Sequence, residues 1–184
     1  MADFLDLRGI AFGMPIDNTY LWHGHRWREF TSSSWWRRYA PVMSSAGLDI
    51  VLPIGGISQA STVRLVQEAG LGDVVSSCLR APFPGCGRCW KCFHKHTLLG
   101  READYEAREI QTFLAKRPIK TATHVLWWIN EHDRWDLIPD LEHLKAHDLS
   151  AWTTHYAPAF DLLPDWIRDH VQQAVERSIP RMPD

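Results

Sequence analysis

Apolar positions along the chain fall into short runs and a few helical stripes. Residues 7–12, Leu-Arg-Gly-Ile-Ala-Phe, read as a short strand, and turn residues follow at 14–18. A second apolar run at residues 50–54, Ile-Val-Leu-Pro-Ile, reads as a short buried strand. Gly55-Gly56-Ile57 then turns the chain, and Ser58 caps a helix that carries Val63, Val66 and Ala69 and stops at Gly70. Further on, Ala103, Ala107, Ile110 and Leu114 share a helical face with Pro118 beyond its end. Val125, Trp128 and Ile129 predict another helix, and Leu141 and Leu144 a short third. A last helix is predicted to begin at Pro164 and to bury Ile167, Val171, Ala174 and Val175. The pattern therefore predicts a single domain over residues 1–184, with a Trp/Arg-rich segment at 1–49, a strand and helix plus a cysteine knuckle at 50–100, and a helical extension at 101–184.

Between the first strand and the second lies an aromatic and basic segment, residues 20–39. It holds Trp22, Trp27, Trp35, Trp36, His23, His25, Arg26, Arg28, Arg37 and Arg38. Such a segment can stack bases or a cofactor ring; it can equally anchor a loop-rich region or form a partner interface, and the lack of regular aromatic-basic alternation favours the latter pair. Charge points the same way. Lys plus Arg is 20 against 22 for Asp plus Glu, so the chain lacks the strongly basic balance of a nucleic-acid binder. Neither a basic, apolar leader nor a run long enough to cross a bilayer is present, and a cytoplasmic protein without a membrane partner is expected. The Gly55-Gly56 turn before a helix is the kind of place where phosphates bind. It matches neither the dinucleotide fingerprint nor the Walker pattern, and reads as a turn with an N-cap.

The chemistry is concentrated in the cysteines. All four, Cys78, Cys86, Cys89 and Cys92, lie within fifteen residues. In a reducing compartment such grouping points to metal or redox chemistry rather than disulfides. Two Cys-x2-Cys steps let thiolates approach one ion from a tight turn, with Gly85 and Gly87 relieving the backbone and Cys78 closing a tetrahedron from the preceding loop. Four thiolates leave no open position, so the zinc expected here is structural. An iron–sulfur cluster is the competing reading, although the ferredoxin run, with its fourth Cys soon after the third and then Pro, is absent. His94 and His96 could replace one Cys, or stand behind or outside the ligands. His143 and His147, at i and i+4, could hold a second metal if helical, but no carboxylate completes a motif and solvent exposure is expected.

From residue 50 to residue 95 the chain resembles 7-cyano-7-deazaguanine synthase and its relatives in the PP-loop ATP pyrophosphatase superfamily. The residues that carry the likeness are Pro53, Ile57-Ser58, Ser77-Cys78 and Cys86-Gly87-x-Cys89-x-x-Cys92. Two details depart from the family: the interval between Cys78 and Cys86 is slightly short, and Gln59 stands where a charged residue is common. The resemblance implies an α/β fold, predominantly helical, built on a partial adenine nucleotide alpha hydrolase-like (Rossmann-like) half, with a four-cysteine zinc knuckle and a helical C-terminal extension. It also implies ATP with Mg2+ activating a carboxylate as an acyl-adenylate that an amine then attacks. The family's Ser-Gly-Gly-x-Asp-Ser nucleotide loop occurs nowhere in the chain. Either a partner chain supplies that loop, with a small-molecule or peptide carboxylate as substrate, or the nucleotide chemistry is lost and a zinc-stabilised binding or assembly module remains. Arg80, Arg88, Lys91, Lys95 and Ser58 are the candidates for contact with substrate or phosphate, with solvated charge as the plainer reading of the four cations. No catalytic acid, base or nucleophile is identified.

Overall fold

The computed structural model describes residues 6–21, 26–117 and 124–183. Trp22, His23, His25 and Pro118 lie outside them. The described chain divides into two compact units, residues 1–58 with 153–184, and residues 59–152. About half of it is helical, beside one two-stranded parallel sheet, so the expected predominantly helical α/β class is met.

In the first unit, β1 (Gly9–Ala11) pairs in parallel with β2 (Asp49–Val51), Ile10 opposite Ile50. A parallel pair needs a crossover, and α1 (Ser34–Ser45) lies in it. Gly9 is required at this pairing, because a Cβ there would stand 2.8 Å from the Asp49 carbonyl oxygen. Helix α1 starts where the Ser33 hydroxyl accepts the Trp36 N–H at 3.1 Å, a standard N-cap. The hydrophobic pattern does not predict it: Pro41 interrupts its interior and it has no fully buried residue, so no apolar stripe announces it. The aromatic segment packs on itself. Trp35 meets Phe12, Phe30 and Tyr39 at ring-centre distances of 5.4, 5.8 and 5.3 Å, and Trp27 stacks on Tyr20 at 5.5 Å. Arg28 is tied to the carbonyls of Thr19 and Asn18. These contacts make the segment an anchor.

Beyond β2, the Gly55-Gly56 turn packs against the returning chain. A Cβ on Gly56 would stand 2.6 Å from the Tyr156 carbonyl oxygen, the Tyr156 N–H donates to the Gly56 carbonyl at 2.8 Å, and Ile57 bridges His155. The glycines admit a neighbouring chain segment. The last helix, α6 (Asp165–Glu176), follows Pro164 as expected, but of its predicted apolar stripe only Val175 is fully buried and Ala174 is exposed. Trp166, at its start, donates to Asp49 Oδ2 at 2.7 Å, and the Arg8 guanidinium lies over its ring.

The second unit holds α2 (Gln59–Glu68), α3 (Trp90–Leu99), α4 (Arg108–Leu114) and α5 (His124–Glu131). Its core is Phe93, Ile110, Phe113, Leu114, Val125, Trp128, Ile129, Trp135 and Ile138, with Ala107 at the edge. Helix α4 is shorter than the stripe from Ala103 predicts. Residues 139–146 wind as a 3-10 helix, not the α-helix expected at Leu141 and Leu144. His143 lies in this 3-10 helix and His147 is its extended C-cap, and both are exposed, as expected.

His94 is buried in this unit among Trp90, Phe113 and His124. Burial, with His124 and Lys95 behind it, pulls its pKa from 6.5 down to about 3, so the folded chain keeps the ring neutral. The unfolded chain takes up the proton first, so this contribution to stability is present above pH 6.5 and is lost as the pH falls towards 3. Denaturant titrations of wild type and His94→Phe should diverge over that window by up to about 1.4 kcal/mol per pH unit. Parallel curves for the two proteins would contradict this role for His94.

Candidate metal centre

The cysteines arrive from two directions. Cys89 is the N-cap of α3, its sulfur accepting the Cys92 N–H at 3.4 Å, so the second Cys-x2-Cys step becomes the first turn of a helix. Cys78 and Cys86 come from the loop before it, where the Arg80 N–H reaches the Cys78 sulfur at 3.4 Å. All four sulfurs lie within 4.8 Å of one another, and those of Cys86 and Cys92 are 3.7 Å apart. That separation is far from the ~2.05 Å of a disulfide. It matches the spacing of about 3.8 Å between sulfurs that a tetrahedral ion with bonds of about 2.3 Å requires. The cluster can hold a metal ion, and the donor set of four soft thiolates fits a closed, structural site.

Glycine makes the approach possible. Gly85 has φ +118°, and a Cβ there would stand 3.0 Å from the Cys92 sulfur and 3.1 Å from the Cys78 Cβ. Gly87, at φ +66°, accepts the Asp104 N–H on its carbonyl at 2.9 Å. His96 is buried beside the cluster, with Nδ1 2.6 Å from the Glu102 carbonyl and Nε2 3.1 Å from the Pro84 carbonyl. It therefore ties the knuckle to the chain beyond α3 and does not replace a thiol; His94 places its ring among aromatics. A further residue, which the sequence pattern leaves unmarked, completes the frame. Arg101 follows the left-handed Gly100 that ends α3, donates to the Val75 and Gly72 carbonyls at 2.8 and 2.6 Å, and lies over the Phe83 ring. It pins the segments on both sides of Cys78. The one sequence signal for it is a cation placed directly after a helix-ending glycine.

The candidate substrate contacts are less concentrated. Arg80 pairs with Glu109, and Arg88 with Asp104 at 3.2 Å. Lys91 and Lys95 share α3 as expected, Lys91 near the Trp90 ring and Lys95 lining a small cavity with Cys78, Cys92 and His96. Ser58 is buried in the first unit, just ahead of α2, whereas the four cations belong to the second.

Protonation differs across the cluster. Backbone N–H groups, that of Arg80 foremost, lower the Cys78 thiol to about 6. The Arg88 N–H also lowers Cys86, while burial raises Cys92 to about 12. Cys78 is thus largely thiolate at neutral pH while Cys92 keeps its proton.

Residues 38–184 match a family of unknown function, DUF6395. The chain belongs to the DUF6395 family. The match takes in the whole cysteine knuckle, both of its Cys-x2-Cys steps and Arg101. No curated protein and no solved structure matches the chain.

Three outcomes test the centre. Because a metal must displace the Cys92 proton, binding at pH 7 should release at least one proton, read as a buffer-dependent calorimetric heat. Affinity should fall on acidification, more steeply below about pH 6, where Cys78 also takes a proton. Cys89→Ser should lose stoichiometric metal and lower the melting temperature by on the order of 10 °C or abolish the cooperative melt. An unchanged melt in the Cys89→Ser variant would count against a structural metal.

Proposed function

We propose that this DUF6395 chain is the zinc-bearing subunit of a split PP-loop ATP-dependent ligase. A partner chain supplies the Ser-Gly-Gly-x-Asp-Ser loop that holds ATP and Mg2+, and the complex adenylates a small-molecule or peptide carboxylate for amide or nitrile formation. The observation that carries the reading is the gathering of Cys78, Cys86, Cys89 and Cys92 within 4.8 Å, following in sequence a parallel strand, turn and helix that carry Pro53 and Ile57-Ser58. Four soft sulfur donors within 4.8 Å, the Cys86–Cys92 pair at tetrahedral spacing, favour zinc, whose role is to hold the knuckle in shape. On this reading Lys91 and Lys95, one turn apart on α3, meet phosphate or developing negative charge. The remainder of the PP-loop likeness, including a Rossmann-like half, belongs to the same proposal.

A second reading, a non-catalytic zinc-stabilised binding or assembly module, draws support from the pairing of Arg80 with Glu109 and of Arg88 with Asp104. Both cations are engaged before any phosphate arrives.

Pyrophosphate release separates the two. The isolated chain should release none with ATP and any carboxylate, while the complex isolated from its source should release pyrophosphate in a carboxylate-dependent manner. Turnover by the chain alone would overturn the split arrangement, and an inert complex would favour the assembly module.

A further inference from the structure

The two strands of the sheet have different surroundings. In a parallel ladder the residues of a strand alternate between turning their main-chain groups towards the neighbour and turning them away. Asp49 N–H donates to the Arg8 carbonyl and Phe12 N–H to the Val51 carbonyl, which with Ile10 opposite Ile50 turns residues 8, 10 and 12 towards β2. The amides and carbonyls of Gly9 and Ala11 consequently face outward, and they meet no backbone partner among the described residues. On β2, Ile50 and Val51 are buried, as is Leu52 just beyond it, while Asp49 is exposed. Along β1, Leu7 is 45% exposed, Ala11 is exposed, and Gly9, Ile10 and Phe12 are only half-buried.

That exposure is unusual for parallel strands, which are ordinarily buried on both faces and flanked by further strands. A pair of three-residue strands is also well short of an independently stable sheet. Edges meant for solvent are usually guarded by charge, proline or a bulge. Residues 9–13, Gly-Ile-Ala-Phe-Gly, carry neither charge nor proline, and Arg8, the nearest charge, is engaged over the Trp166 ring.

We infer that the outer edge of β1, through the main-chain groups of Gly9 and Ala11, is where an extended, uncharged strand of the partner chain joins the sheet. The inference rests on the split-ligase reading, and names the place where the chain with the nucleotide loop attaches. The outward main-chain groups call for an extended segment, whose amides and carbonyls alternate in the same register. The absence of charge along residues 9–13 calls for an apolar one. A second copy of this chain across a two-fold axis would bring β1 against itself antiparallel, whereas a neighbour that keeps the parallel direction of β1 and β2 comes from a different element.

Proline at position 11 tests this. It deletes an outward N–H while leaving the inward bonds of Ile10 and Phe12 to β2, and proline is tolerated on an edge strand in that position. In the complex isolated from its source, hydrogen exchange at Gly9 and Ala11 should slow at least tenfold relative to the isolated chain. Ala11→Pro should retain at least tenfold less companion chain than wild type, with an unchanged circular dichroism spectrum and metal content, whereas Ala11→Thr, which keeps the N–H, should retain it in full. A companion chain that stays bound to Ala11→Pro, or leaves these amides exchanging freely, would overturn the placement and leave the split-ligase reading intact. A homodimer formed through this edge would overturn the choice of occupant. Wild-type protein without any companion chain would remove the split-ligase reading itself, and this inference with it.

Discussion

The candidate site depends on four sulfurs held within 4.8 Å by a loop that has almost no regular hydrogen bonding of its own. Between Val75 and Cys89 the backbone forms neither helix nor strand, so its shape has to be imposed from outside. The structure supplies two kinds of constraint. One is the start of α3, which fixes Cys89 and Cys92 as an N-cap and its first turn. The other is a polar frame in which His96 reaches the Pro84 and Glu102 carbonyls and Arg101 reaches those of Gly72 and Val75. Together they bring four thiols within 4.8 Å, close enough to share one ion, and a bound ion would replace sulfur–sulfur repulsion with a shared charge.

The first unit shows the opposite condition. Its sheet is short, its crossover helix α1 has no fully buried residue, and its core is assembled from aromatic rings and from a return of the chain at His155, which bridges Ile57 and Arg181. Two glycines permit this construction: Gly9 lets β1 close on Asp49, and Gly56 lets the Tyr156 carbonyl approach. Among the described residues no helix is long and apolar enough to cross a membrane. What the two units share is a dependence on glycine at points of close approach, Gly9 and Gly56 in the first and Gly85 in the second.

The parts that can be read from the sequence are those governed by local chemistry. The knuckle is legible because Cys-x2-Cys spacing and flanking glycines depend on ligand geometry alone, and Gly85 and Gly87 take positive φ. Strands at 9–11 and 49–51 and helices α2, α5 and α6 follow from short apolar runs, caps and breakers. Helix α1 does not, because Trp35, Trp36 and Pro41 disguise its period and its partner surface is a ring cluster. The 3-10 winding of residues 139–146 has no sequence period of its own, so Leu141 and Leu144 suggest an α-helix. Arg101 is marked only by its place after a helix-ending glycine, since its role comes from carbonyls 26 and 29 residues away in the chain. The ion pairs that engage Arg80 and Arg88 join residues distant in the chain, and are hidden for the same reason.

The central claim is that Cys78, Cys86, Cys89 and Cys92 bind one zinc as a closed tetrathiolate. X-ray absorption at the zinc edge on the purified protein tests it most directly. The account predicts one zinc per chain with four sulfur neighbours at about 2.3 Å and no lighter ligand. Iron in place of zinc, or a first shell of three sulfurs with a nitrogen or oxygen, would contradict it.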